Sequence, residues 1–306
     1  MKVLLCGDFD AAEHADWRAA LARAMPEAEW LDADAAREAR AGREAGASVH
    51  AAVVANPPPG SLQGLPGLRL IQSLWAGVDR LLGDATLPPG VPVARMVDPA
   101  MTAAMAETAL WAVLALHRGF FAYAQRQRLA VWQPHTQRRA DEVPVVVLGQ
   151  GQMGSAAAAR IAQQGYPVRG WRRSGEPLLD CVARAQIVVN LLPLTPATRG
   201  LLDARFYAAL PAQASVVNLG RGAHVVDADL LAALDSGHLR HAVLDVFQTE
   251  PLPAGHAYWR HPRVTVLPHA AAMTDLRSAA AVAVANLRAL RDGQPLAHLV
   301  DRQRGF

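Results

Sequence analysis

Several things are scarce in this sequence, and each scarcity removes a class of protein. There are two cysteines, Cys6 and Cys181, too few for a disulfide framework or a thiolate zinc site. Lys2 is the one lysine among 30 basic side chains, so cationic chemistry falls to arginine. The arginines are scattered, with no run of about five or six like charges, which argues against a nucleic-acid partner. No uninterrupted apolar run approaches the roughly 18 residues of a membrane span; the longest candidates lie at 109–116 and 279–285. The apolar start of the chain also stops short of the roughly 7–15 residues of a signal-peptide core. A cytoplasmic protein without a membrane partner or a metal is therefore expected. The 306 residues are 52% hydrophobic and 19% charged, with a formal net charge of +3. That suffices for a sizeable buried core and excludes wholesale disorder, and the length suggests two domains.

Short β-type runs alternate with helical patterns throughout, the signature of parallel sheets with crossover helices. Strands are predicted at 3–6, 29–31, 51–54, 70–74 and 91–95, as in a small flavodoxin-like βα unit. A long helix is predicted over 101–117, with Met105, Ala109, Val113 and Leu116 at helical spacing after Asp98-Pro99. The stretch 120–139 reads as irregular, mixing Phe120, Phe121, Tyr123 and Trp132 with Arg and Gln. A second series of strands follows at 145–148, 167–171, 187–191, 215–219, 242–246 and 264–267, enough for a doubly wound dinucleotide domain. A last helix over 274–291 is expected to return to the first unit. The expected division is 1–99 with 273–306 as a substrate-binding domain, and 100–272 as a Rossmann domain carrying an arm at 118–140.

Gly149-Gln150-Gly151-Gln152-Met153-Gly154 fits the pattern G-x-G-x-x-G between a buried-strand run and the strong helix former Ser155–Arg160. In that context Gly149 permits a tight turn, Gly151 lets backbone approach a pyrophosphate, and Gly154 lets helix and strand pack closely. The amides of Gln152 and Met153 would face phosphate at the helix N-terminus. At the end of the next strand an NAD enzyme usually places a carboxylate for the ribose 2′-hydroxyl. Here Arg172, Arg173 and Ser174 occupy that place, and they suit a 2′-phosphate instead. NADPH is the expected cofactor, with NADH possible.

Three further segments fall at strand ends: Asn218 to Gly222, Asp245 to Pro253, and Pro268-His269. With Leu74-Trp75-Ala76-Gly77-Val78-Asp79, Met105-Ala106-Glu107, the glycine hexad and Leu192 to Thr198, they make a long ordered set. On these motifs the sequence resembles the D-isomer-specific 2-hydroxyacid dehydrogenase family over essentially its whole length, and most of all its glyoxylate/hydroxypyruvate reductase A branch. The resemblance implies two doubly wound α/β domains closing over a small 2-oxo acid, which an NADPH-preferring reductase would convert to the 2-hydroxy acid. It implies that Arg221 binds the substrate carboxylate and 2-oxo oxygen, and that His269 protonates that oxygen. Glu250 would orient the imidazole and favour its protonated form. Trp75, Ala76 and Gly77 would hold the substrate carboxylate through their amides. Leu192, Pro193 and Thr198 would line the adenosine side of the cofactor. Leu219, Gly220, Asp245 and Ala271 would line the nicotinamide side, with Asp245 on the carboxamide.

The resemblance also implies a homodimer packed through the arm, whose aromatics suit an interface better than an open loop. Trp75 and Trp132 are candidate walls for the substrate side chain, and a core role competes for Trp132. Met101 and Met105 read as helix packing, and His256 and His261 as loop residues without metal partners. Two alternatives stand beside the reductase of glyoxylate and hydroxypyruvate. One is a reductase of a larger 2-oxo acid; the other is a nucleotide-sensing, corepressor-like regulator of the same fold.

Overall fold

The structure, a computed structural model, describes residues 1–32 and 49–305; the helical pattern expected between the second and third strands lies largely outside them. The chain divides into two compact units, Met1–Met101 with Thr274–Phe306, and Thr102–Met273. Both are parallel α/β sheets.

In the first unit the strands are β1 (Lys2–Gly7), β2 (Glu29–Leu31), β3 (Ala51–Ala55), β4 (Leu70–Ser73) and β5 (Val93–Ala94), in the order β2-β1-β3-β4-β5. This is the flavodoxin-like order. Every residue of β3 is buried, as a central parallel strand covered on both faces requires. Helix α1 (Ala11–Ala24) starts where Asp10 accepts from the Glu13 amide at 2.8 Å. A short α2 (Asp79–Leu82) follows the Trp75 loop.

Helix α3 (Pro99–Arg118) begins two residues before the first unit ends. Among the described helices it alone is long and apolar enough to cross a membrane by length and composition. A count of unbroken apolar residues passes over it. Its apolar face is used internally: Ala109, Ala112, Val113 and Leu116 pack in one core with Val145, Val147 and Val189 of the second sheet. The arm that follows is not irregular from its start. Phe120–Arg128 is a helix, α4, with no buried residue. The polar Gln and Arg residues there are good helix formers without an apolar stripe; the helix is placed by Phe121, whose ring stacks on His241 at 4.5 Å.

The second sheet comprises β6 (Val145–Leu148), β7 (Val168–Trp171), β8 (Ile187–Asn190), β9 (Ala214–Asn218), β10 (Leu239–Leu244) and β11 (Val264–Val266), ordered β11-β10-β9-β8-β6-β7. Helices α5 (Gln152–Ala162), α6 (Leu178–Val182), α7 (Ala204–Ala209) and α8 (Asp227–Asp235) connect them. The order turns back at β6, which has β7 on one side and β8 on the other. That is the switch point at which such sheets leave a crevice beyond the strand C-termini. Strand β10 starts three residues before the predicted 242. Leu239 pairs with Ala214 and His241 with Ser215, so Arg240 is the extra residue of a β-bulge, and a Leu-Arg-His start hides a strand from hydrophobic pattern.

The last helix, α9 (Leu276–Arg291), is capped by Asp275, whose carboxylate accepts the amides of Arg277 and Ser278. Its Asn286 is buried and donates to Gln72 Oε1 of β4 at 2.7 Å and to the Ala297 carbonyl at 3.0 Å. This amide pair fixes the returning helix onto the first sheet.

Candidate active site

The glycine hexad forms the turn from β6 into α5. A Cβ on Gly154 would sit 1.8 Å from the Gly149 carbonyl oxygen, and one on Gly149 would sit 2.7 Å from that of Leu191. Both positions therefore demand glycine for packing across the switch point. A Cβ on Gly151 would meet nothing within 4 Å: the space beside it is open. Gly151 is also the N-cap residue of α5, so the first amides of the helix, on Gln152 and Met153, have no intrahelical acceptor and face that space. The residues fit a bound pyrophosphate.

At the end of β7, Arg172, Arg173 and Ser174 are all exposed. A turn closed by the Gly175 amide on the Arg172 carbonyl at 2.9 Å presents them. Arg169 pairs with Glu176 at 3.0 Å, whereas Arg172 and Arg173 have no carboxylate partner among the described residues. Two uncommitted guanidiniums and a hydroxyl fit a 2′-phosphate better than a 2′-hydroxyl.

Arg221, Glu250 and His269 follow β9, β10 and β11, three neighbouring strands of one sheet, at their C-terminal ends. His269 Nδ1 lies 2.7 Å from Glu250 Oε2, and Glu250 Oε1 accepts the Phe247 amide at 2.8 Å. An ionised carboxylate only accepts, so Nδ1 carries the proton and Nε2 is the pole left to exchange one. His269 adopts φ +53, a left-handed conformation that costs a side-chain-bearing residue about 1–2 kcal/mol. Asp245 compensates. Its carbonyl accepts the His269 amide at 2.9 Å, its Oδ1 accepts the Ala270 amide at 2.7 Å, and the Ala271 amide lies 3.2 Å from both carboxylate oxygens. Burial raises the Asp245 pKa, and these amides pull against that rise. Thr108 of α3 completes the brace by donating to the Ala271 carbonyl at 2.7 Å. The Asp245 carboxylate thus holds the His269 turn from behind.

Arg221 is half-buried, extended at φ −143, and donates to the Gly220 carbonyl at 2.9 Å. Its neighbour Gly222 presses on the strand-end loop that leads to Glu250: a Cβ there would lie 1.8 Å from the Phe247 carbonyl carbon. Behind Arg221 lies a buried polar network that sequence reasoning missed. Asn190 Nδ2 donates to Asn218 Oδ1 at 2.9 Å and to His224 Nδ1 at 2.8 Å. Asn218 in turn accepts the Gly220 amide at 3.2 Å and donates to the Arg221 carbonyl at 3.0 Å. With Nδ1 accepting, His224 Nε2 is left to donate to the Pro193 carbonyl at 3.3 Å. A polar residue closing an apolar strand, as in Ile187-Val188-Val189-Asn190, is the signal that could have revealed it.

Other predicted residues fall as follows. Leu192, Leu219 and Ala271 are buried. Thr198 is buried as well, and its hydroxyl turns inward to the Pro193 carbonyl at 2.8 Å, bracing that loop. In the first unit the Trp75 amide donates to Ser73 Oγ at 3.0 Å, so the donors left for a carboxylate are the amides of Ala76 and Gly77. The Trp75 ring stands edge-on to buried Trp17 at 6.3 Å. Trp132 is 99% exposed, which removes a core role for it within this chain. Met101 and Met105 are buried. His256 and His261 pair with Asp227 and Asp235 at 3.5 and 3.1 Å, and no group of three or more metal-ligating side chains occurs among the described residues.

Comparison with known proteins agrees with this architecture. Residues 110–271 match the family model of the D-isomer specific 2-hydroxyacid dehydrogenase NAD binding domain. The chain is 37% identical to a glyoxylate/hydroxypyruvate reductase A of Serratia proteamaculans, with all of both chains covered. It superposes with a TM-score of 0.91 at 38% identity, over 100% of its own length and 99% of the other's, on a D-isomer specific 2-hydroxyacid dehydrogenase from Xanthobacter autotrophicus Py2 in complex with NADPH and MES. The TM-score is 0.89, at 34% identity and the same coverages, with an NADPH-dependent glyoxylate/hydroxypyruvate reductase from Sinorhizobium meliloti in complex with NADP and sulfate.

Proposed function

The chain belongs to the D-isomer specific 2-hydroxyacid dehydrogenase family, and within it we propose an NADPH-preferring reductase that converts glyoxylate to glycolate and hydroxypyruvate to D-glycerate. The observation that carries this reading is the His269–Glu250 pair at 2.7 Å on the sheet edge that also bears Arg221. The relatives' shared activity and the bound NADPH and NADP of two solved neighbours support it.

Bound NADPH supplies the hydride that reduces the carbonyl carbon. Arg172, Arg173 and Ser174 would hold its 2′-phosphate, and the Gln152 and Met153 amides beside Gly151 its pyrophosphate. Arg221 offers a planar fork to the carboxylate and 2-oxo oxygen of the substrate, while Ala76 and Gly77 offer amides to the carboxylate. His269 Nε2 delivers the proton that the oxygen needs as its carbon is reduced, so the product leaves as a neutral hydroxyl. Glu250 keeps Nδ1 protonated and the ring aimed. We further assign the arm to a homodimer interface, supported by Phe120, Leu129, Val131 and Trp132, all exposed large hydrophobics.

The test follows loss of nicotinamide absorbance with NADPH or NADH against glyoxylate, hydroxypyruvate, pyruvate and phenylpyruvate. The two smaller acids with NADPH are expected to give the highest kcat/KM. Arg172→Asp should lower the NADPH-to-NADH ratio of kcat/KM by about 10- to 100-fold, the worth of one charge-assisted hydrogen bond. An unchanged ratio defeats the cofactor assignment. Cofactor binding without turnover of any of the four acids defeats the reductase and favours a nucleotide sensor.

A further inference from the structure

At the other end of the second sheet, where β8, β9 and β10 begin, the arm folds over a cavity of about 60 Å³. The chemistry of its wall is one-sided. His117, His135, Arg138 and Arg240 line it together with the hydroxyls of Thr136 and Ser215, and no carboxylate does. Arg138 gives one N–H to Gln186 Oε1 at 3.1 Å. Arg240 has no hydrogen-bond or ion-pair partner among the described residues, although it is half-buried and burial pulls its pKa down. Ser215 is 3% exposed, and its hydroxyl has no partner among the described residues either.

The arrangement is built rather than incidental. Arg240 is the bulged residue of β10, and a bulge re-aims a side chain that regular alternation would send elsewhere. His135 lies directly over the turn between α3 and α4. A Cβ on Gly119 would come within 2.1 Å of its ring, and Gly119 has φ +73, so glycine is required there for the imidazole to sit. The ring also packs at a tilt against Tyr123, centroids 4.8 Å apart. Burial pulls the His135 pKa down, and the charges of Arg240, Arg126 and Arg118 pull it further; no anion opposes them. A half-buried guanidinium held among like charges is costly unless an anion joins it.

We propose that this cavity binds a phosphoryl dianion, gripped by the guanidiniums of Arg138 and Arg240 with Ser215 and Thr136 as hydroxyl donors. A water centre needs about 10–15 Å³, so the cavity holds several waters' worth of volume and accommodates a phosphoryl group. The site is distinct from the cofactor loops, because strands of four to six residues separate the two edges of the sheet, roughly 13–20 Å at about 3.3 Å per residue. Occupancy would tie the arm to the sheet beneath it.

Calorimetric titration of the whole protein with inorganic phosphate, and separately with methyl phosphate, at constant ionic strength in chloride, tests this. Saturable binding is expected, weakened by about tenfold or more in Arg240→Gln, the loss of one charged hydrogen bond. It should persist in Arg172→Ser/Arg173→Ser, which removes the other candidate phosphate grip. Equal binding by both probes identifies a phosphate ester as a competent ligand, and preference for inorganic phosphate identifies the free ion; both support the site. Wild-type affinity in Arg240→Gln, loss of binding in Arg172→Ser/Arg173→Ser, or a response to phosphate no larger than to chloride overturns it. Should Arg240→Gln fail to fold, Ser215→Ala and Arg138→Gln carry the same comparison.

Discussion

Replacing Asp245 separates holding the catalytic turn from touching the cofactor. Its carboxylate accepts from two consecutive amides, Ala270 at 2.7 Å and Ala271 at 3.2 Å, just after His269 at φ +53. Asp245→Asn keeps the shape and one acceptor oxygen, enough for Ala270. The Ala271 amide, 3.2 Å from both carboxylate oxygens, loses one of its two acceptors and the carboxylate charge, and the new NH2 group faces it. Losing one charge-assisted hydrogen bond costs about 1.5–3 kcal/mol. At about 2–4 °C per kcal/mol for a unit of this size, Tm should fall by roughly 3–12 °C. Asp245→Ala strands both amides and should cost about 2–6 kcal/mol at 1–3 per unsatisfied buried group. A loosened turn lets His269 relax from its left-handed conformation and lose its 2.7 Å contact with Glu250. Displacement by about 1 Å can cost on the order of 100-fold in rate, so kcat should drop about 10- to 100-fold. Steady-state kinetics with NADPH and glyoxylate, beside thermal melts, give the readout. A raised KM for NADPH with Tm and kcat unchanged would return Asp245 to the carboxamide. Wild-type values throughout would refute the bracing argument.

Three further outcomes are expected. His269→Ala should lower kcat by about 10²- to 10⁴-fold while Tm stays near wild type, since the side chain is exposed; near-full turnover would remove it as proton donor. Trp132→Ala should weaken self-association by about tenfold or more in sedimentation equilibrium, with the monomer's secondary structure intact, because the side chain is 99% exposed in a single chain; unaltered association would move the interface elsewhere. His241 is held at about 4 by burial first and then by the charges of Arg240, His261 and Arg263. Its folded value lies below the ordinary 6.5, so the stability from keeping it neutral is complete above about pH 6.5 and is lost as pH falls towards 4, about 3 kcal/mol in all. Denaturant unfolding of wild type and His241→Gln at pH 7 and 4.5 checks this, and an equal pH dependence in the two would contradict it.

What the sequence made legible was whatever rests on local pattern. The glycine hexad is readable because a buried strand and a strong helix former flank it, and the structure shows its packing glycines in contact and Gly151 facing open space. Strand ends differ from expectation by a residue or so where the boundary residue is apolar on both sides of the turn. The larger departures are long-range. Arg240 becomes the bulge of β10 only through its register against β9, which no single strand encodes. Helix α4 has no buried face, so periodicity is silent, and a ring stacked on His241 places it. The role of Asp245 depends on amides 25 and 26 residues further along the chain, and that of Asn190 on His224. Tertiary hydrogen bonds leave little trace in one sequence beyond a polar residue where an apolar one would do.

At the catalytic edge the side chains divide into two kinds. Asn190, Asn218, His224 and Asp245 are all buried, and each spends its polar atoms on the backbone of a loop or on another of the set. Arg221, Glu250 and His269, to which the proposed function gives the chemistry, are less buried than these. Burying a polar group is costly unless its hydrogen bonds are complete, and here completeness is reached only with the loops in one conformation. The same bonds that make burial tolerable therefore fix where the reactive groups point. That division has a consequence for substitution. Changing a reactive side chain should remove rate and leave stability, whereas changing a buried one should remove both together, because rate there is lost only through a loop that has moved. His269→Ala and Asp245→Asn thus form a pair. If both fell into the same category, the edge would not be organised in two tiers, whatever the individual magnitudes proved to be.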